Sequence, residues 1–204
     1  MSQEAPQGRA RIQNALIELC LERSYAGVTL PDLLRRAGVD DETFHCYFDD
    51  LEDCFCSFYE EMRDEFMLRV GESFAGVSGW REQIRAAAWA IVDYILEDPG
   101  RARISFVEVW FAGERAKLIR EQAMSGLFAL IDQGRLERAD SFVSSVTAEF
   151  VGSAVYRRLQ AAIESGDLSG LEAEVPELMY AVVLPYLGRE AAEEELRMPR
   201  PERR

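Results

Sequence analysis

The stretch TLPDLLRRAGVDDETFHCYF, from Thr29 to Phe48, leaves a folding chain few choices. Thr29 sets a hydroxyl at the mouth of a helix, and Asp32 follows three residues on, the spacing of a reciprocal cap. Pro31 falls in the first turn, where no intrahelical N–H partner is needed. Leu30, Leu33, Leu34 and Ala37 recur at helical spacing, and Gly38 stops the run by entering the left-handed conformation. Asp40 then caps a short helix that turns Phe44, Tyr47 and Phe48 inward or to the rim. Two helices joined by so tight a glycine turn predict a helix-turn-helix unit.

The same period governs the rest of the chain. Ile12, Ala15, Leu16, Leu19 and Cys20 share one face of a first helix that begins at Arg9, with a break from Ser24 to Val28 around Gly27. Asp49 or Asp50 caps a fourth helix running to about Val70. Further helical stretches are Trp80–Glu97, Arg103–Phe111, Glu114–Leu136, Ser141–Ser165 and Leu168–Leu187, the last with Pro176 and Pro185 marking a start, kink or stop. No segment has strand period and none repeats, so the expected fold class is all-α, with about nine helices. The expected division is a flexible arm (1–8), a helix-turn-helix domain (9–57), a larger helical domain (58–187) and a tail (188–204). That tail holds five Arg, five Glu and two Pro, and offers little to bury.

Composition narrows the classes. The apolar share of 48% and charged share of 29% are globular values. No apolar run is long enough to span a membrane and the first thirty residues lack a signal-peptide core, so a cytoplasmic protein is expected. One His, no visible nucleophile–base pair and no glycine-rich phosphate loop give no basis for an enzyme or a cofactor. His45, Cys46, Cys54 and Cys56 are four metal-ligand types within twelve residues. Zinc spacings are absent, Cys54 and Cys56 are two apart on a helix and so point to different sides, free Cys packs as a small hydrophobe, and no metal site is expected. Cys46 is expected to be exposed, where a redox role needs a basic neighbour that the sequence does not supply.

The order Gly27-Val28-Thr29, Asp32, Arg36-Ala37-Gly38-Val39, Thr43-Phe44 and Phe48, after a helix ending near Arg23–Tyr25, resembles the N-terminal domain of the TetR family of bacterial transcriptional regulators. The resemblance implies a ligand-responsive regulator, a repressor, in which the N-terminal unit binds double-stranded operator DNA. It also implies a small-molecule pocket in the larger domain and a homodimer paired through the last two long helices. Matched position by position, the DNA-facing residues are Thr29, Arg36, Asp41, Glu42, Thr43, His45 and Tyr47. Three departures stand out. Asp41 and Glu42 replace basic or small residues, Cys46 replaces a frequent Arg, and Leu51 replaces a Lys that grips a phosphate.

These departures set the main question. The net charge is −14, and from Ala37 to Met62 there is no Lys or Arg. Phosphate contacts by cations supply most non-specific affinity for DNA, and this segment lacks them. Acidic residues at a helix start are worth about 0.3–1 kcal/mol through the helix dipole, which accounts for Asp40, Asp49 and Asp50. A carboxylate can also accept from the cytosine amino group. Two readings therefore stand: a DNA-binding regulator, or a dimeric ligand-binding or protein-interaction module on the same fold that has lost DNA.

Aromatic residues gather in the middle helices. As a pocket lining, Trp89, Tyr94, Phe106, Trp110, Phe128 and Phe150 would suit a small apolar or aromatic ligand; as plain core they need no ligand. Val143, Phe150 and Val151 on one late helix, and Leu178, Met179, Val182 and Tyr186 on the next, form broad apolar stripes. Such stripes either complete the core or build a four-helix interface with a second copy, and their width favours the interface. Gly152, Ser153 and Ala154 would allow close approach there.

Overall fold

In a computed structural model, residues 4–137 and 142–201 are described, with side chains from residue 7 onward. Ten α-helices are present among them and no strand. They are α1 (Glu4–Arg23), α2 (Leu30–Ala37), α3 (Asp41–His45), α4 (Leu51–Ala75) and α5 (Trp80–Glu97), then α6 (Pro99–Phe106), α7 (Glu114–Asp132), α8 (Thr147–Ser165), α9 (Leu171–Leu187) and α10 (Arg189–Glu195). Short 3-10 turns lie at Tyr25–Gly27, Glu108–Trp110 and Gln133–Glu137. No described helix is long and apolar enough to cross a membrane.

The chain divides into two compact units. The first comprises Met1–Asp64 and Gly100–Glu121, the second Glu65–Pro99 and Gln122–Arg204. The break thus falls inside α4 rather than at residue 57, and a segment from mid-chain joins the N-terminal unit. The reason is burial. Ile12, Leu16 and Leu19 of α1, Leu33 of α2, Phe44 of α3 and Phe55 of α4 share one core with Ile104, Val109, Ala112 and Ala116. A three-helix head of some fifty residues leaves too much of its own apolar surface open, and this added layer covers it.

Two backbone positions near the helix-turn-helix are special. Gly38 has φ 64° and ψ 41°, the left-handed stop expected of it, and its amide donates to the Leu34 carbonyl. Ser24 has φ 63° and ψ 151°, a conformation L residues avoid. Holding it costs about 1–3 kcal/mol unless the surroundings over-determine it.

The second unit packs α5 and α8–α10 with the later halves of α4 and α7. Tyr186 of α9 is buried with its ring 5.0 Å from Trp80, whose indole N–H donates to the Leu130 carbonyl at 3.1 Å. The tail departs from expectation. Residues 189–195 form α10, and Glu195 is buried there, accepting two hydrogen bonds from Arg85 at 2.8 and 2.6 Å and one from Arg81 at 2.8 Å.

Several boundaries also differ. The first helix starts at Glu4, inside the stretch read as an arm, because nothing between Glu4 and Arg9 breaks a helix once Pro6 sits in its first turn. Arg103–Phe111 is not one helix: α6 begins at Pro99, and a 3-10 turn follows it. Pro176 and Pro185 lie within α9 rather than at its ends. The eighth helix begins at Thr147; its expected start, Ser141, lies outside the described residues, as do residues 1–3 and 202–204.

Candidate nucleic-acid interface

The turn between α2 and α3 is built from the caps that the sequence spells out. Thr29 Oγ accepts from the Asp32 amide at 3.3 Å and donates to the Asp32 carboxylate at 2.9 Å. That hydrogen bond first, and Arg35 second, hold the Asp32 carboxyl below the usual carboxylate range. Asp40 Oδ1 accepts from the Thr43 amide at 2.9 Å, and hydrogen bonds from Thr43 likewise depress its pKa. Phe44 and Phe48 are buried and pin α3 to the core, their rings 5.7 Å apart.

Pinning Phe44 inward turns the rest of α3 outward. Asp41, Glu42, His45 and Cys46 are exposed, while Thr43 and Tyr47 are half-buried at the rim. His45 Nδ1 lies 3.2 Å from the Phe48 carbonyl. A carbonyl only accepts, so Nδ1 donates in this contact. Nε2 is 3.8 Å from Asp41 Oδ1. The exposed face is rich in acceptors through the carboxylates of Asp41 and Glu42. Tyr47 is set by α1, since a Cβ at Gly8 would lie 2.9 Å from its hydroxyl.

The cations of the head are mostly turned to carboxylates. Arg36 does not stand at the reading face: it points to α1, where it donates to Glu22 at 2.8 and 2.7 Å and to Glu18 at 3.1 Å. Arg23 and Arg35 both pair with Asp32, and Arg9 lies 3.5 Å from Glu61 with its guanidinium 5.8 Å from the centre of the Phe48 ring. Arg11 has no carboxylate partner among the described residues. It lines a groove of about 380 Å³ with Gln7, Asn14, Glu18 and Arg36.

The acidic residues at the start of α4 have structural work. Asp50 Oδ1 accepts from the Asp53 amide at 2.8 Å, so Asp50 is the cap. Glu52 reaches the first turn of α7 and accepts from the Arg115 amide at 2.7 Å. Arg115 in turn binds Asp53 at 2.7 Å and lies 3.4 Å from Glu60. Glu108 reads in the sequence as one of a few polar groups, with Tyr94 and Gln122, that could hold a ligand among the aromatic residues; its bonds to the N-terminal turn are what the sequence does not reveal. It is buried, and its Oε2 accepts from Ser24 Oγ at 2.6 Å and from the Tyr25 amide at 2.9 Å. Its one signal was a lone carboxylate inside the apolar run ISFVEVWF.

The expected ligand residues are spread over both units. Phe106 is buried and Trp110 exposed in the first unit, where Arg120 stacks 4.0 Å above the Trp110 ring. In the second, Tyr94 packs edge-on to Phe66, Trp89 lies under Arg200, Phe128 packs on Gly152, and Phe150 is 72% exposed. The expected interface residues divide as well. Met179, Val182 and Tyr186 are buried in the unit's own core, because α5 and α10 cover α9, and Val143, ahead of α8, is buried as well. Val151 and Leu178 are half-buried, and Phe150 is exposed beside Val146. Gly152 serves the packing of α7 on α8: a Cβ there would lie 2.5 Å from the Phe128 ring. Cys20, Cys54 and Cys56 are buried and Cys46 is exposed; among the described residues no group could hold a metal ion.

No protein-family model matches the chain, and no curated protein does. Solved structures do. The fatty acid degradation regulator FadR from Bacillus halodurans superposes with a TM-score of 0.70 at 17% identity, over 89% of this chain and 97% of that one. A TetR family transcription regulator from Marinobacter aquaeolei VT8 gives 0.66 at 16% identity, over 89% and 96%. FadR from Bacillus subtilis, in complex with stearoyl-CoA, gives 0.63 at 15% identity, over 88% and 98%. The fold is all-helical with an N-terminal helix-turn-helix. It is the fold of the TetR family of regulators.

Proposed function

We propose that the chain is a ligand-responsive transcriptional regulator, a repressor, that binds operator DNA as a homodimer in the cytoplasm. The observation that carries this reading is α3 itself: a helix capped by Asp40, pinned by Phe44, with its outer face open. Asp41 and Glu42 present acceptors beside His45, which suit the amino groups of cytosine and adenine in the major groove and disfavour the acceptors of guanine. Thr43 and Tyr47 complete the face, and Thr29 at the start of α2 would add a backbone contact. Arg11 supplies the backbone contact in place of Arg36.

The larger domain would hold a small apolar or aromatic ligand through Trp89, Tyr94 and Phe128. The long-chain acyl ligand of one structural neighbour supports an extended apolar molecule. Pairing would use the outward side of α8 and α9: Val146, Phe150 and Leu184, with Val151 and Leu178 at the edge. Two reading heads gain affinity together only when they meet successive major grooves, about 34 Å apart.

One observation favours a second reading, a dimeric ligand-binding or interaction module without DNA. Four of the head's five N-terminal arginines, Arg9, Arg23, Arg35 and Arg36, lie within ion-pair reach of carboxylates. A gel shift on the chain's own upstream DNA at low salt separates the two. Retardation of the native protein at one site supports the regulator. No retardation of the native protein, with a gain for Asp41→Arg/Leu51→Lys, supports the module.

A further inference from the structure

Glu108 is fully buried, yet the interface just described does not use it. It stands on the 3-10 turn between α6 and α7, more than eighty residues from Ser24 and Tyr25 in sequence. A buried carboxylate is tolerated only when its charge is answered. Here Oε2 takes the Ser24 hydroxyl and the Tyr25 amide, and Oε1 lies 3.1 Å from Arg103 Nε.

Both hydrogen bonds meet at an unusual place. Among the described residues, Ser24 is the one non-glycine with positive φ. Its amide still donates to the Cys20 carbonyl at 2.9 Å, closing α1, and its carbonyl accepts from Gly27 at 3.0 Å, opening the turn. The bend at Ser24 turns the Tyr25 amide away from the helix it follows, so that amide needs an outside acceptor. Glu108 is that acceptor. Thr29, the cap of α2, follows four residues after Tyr25.

We infer that Glu108 is the positioning residue that fixes the α1–α2 turn, and through it the α2–α3 reading pair, to the α6–α7 segment. All of these residues belong to the first compact unit. A displacement of the 3-10 turn at Glu108–Trp110 then reaches the reading helix through one carboxylate. The inference concerns the same helix as the proposed function, but its test needs no DNA, so either claim can fail alone.

The test is hydrogen exchange by mass spectrometry on the full chain. With Glu108→Ala, amides of residues 24–45 exchange roughly tenfold faster or more, the loss expected for a charge-assisted hydrogen bond. Amides of α5 and α9 keep the native rate. Glu108→Gln, which retains an acceptor oxygen, restores most of the protection. Unchanged exchange at 24–45, or an equal rise in α5 and α9, overturns the inference. If Glu108→Ala does not fold, Ser24→Ala removes the hydroxyl contact alone: faster exchange at 24–45 supports the inference, and native exchange there overturns it.

Discussion

Gly113 is a position where a single methyl group is costly. Its φ is +118°, and a Cβ there would lie 2.2–2.6 Å from all three carboxylate atoms of Glu52. Glu52 cannot retreat freely, because its Oε1 accepts the Arg115 amide in the first turn of α7. Gly113→Ala therefore carries two penalties. Forcing an L residue to that φ costs about 1–3 kcal/mol. Driving Glu52 off the helix start forfeits a cap worth about 1 kcal/mol. The expected loss is roughly 2–4 kcal/mol, a large share of a domain's net stability. Urea unfolding of Gly113→Ala, Glu52→Ala and the double variant measures it. Glu52→Ala alone should cost only the cap, about 1 kcal/mol. The double variant should cost less than the sum of the singles, because the clash has been removed. A loss below about 1 kcal/mol for Gly113→Ala, or strict additivity, would refute the reasoning.

Glu195→Ala strands the buried Arg85 guanidinium, so it should destabilise the chain by about 3–5 kcal/mol, read by thermal unfolding. Phe150→Glu places a charge on the exposed side of α8 and should shift the sedimentation coefficient from dimer to monomer while leaving the helical circular dichroism unchanged. Thiol titration near pH 8 should find one fast cysteine of four, Cys46. Burial pushes Cys20 up to about 12 and Cys56 up to about 11, so both stay protonated, and burial raises Cys54 as well. A thiol is unreactive below its own pKa, and that protection ends only as pH rises through the raised value.

Much of the head was legible because its signals are local. The caps at Thr29, Asp32 and Asp40, the stop at Gly38 and the inward Phe44 all act within a few residues. The chain fold of the larger domain was legible for the same reason, with Trp80–Glu97 found to the residue. What escaped depends on partners distant in sequence. Arg36 looks like a surface cation, and only the packing of α1 on α2 shows that Glu18 and Glu22 claim it. The stripe of α9 looks like a face for a second copy. Met179, Val182 and Tyr186 are instead covered by α5 and α10, and α10 arises from a tail whose composition suggested nothing to bury. Glu195 is held by Arg85 from 110 positions away, a pairing no periodicity reveals.

The salt dependence of binding to the chain's own upstream DNA tests the acidic reading face most directly. With Arg11 as the one arginine of residues 9–57 that has no carboxylate partner among the described residues, a dimer would neutralise about two phosphates, so log K should fall against log salt with a slope near −2. Site-specific binding with so shallow a slope is the expected result. A slope of about −6 or steeper would mean that cations elsewhere grip the duplex. Absence of binding even at low salt would mean that α3 keeps the shape of a reader and reads no DNA.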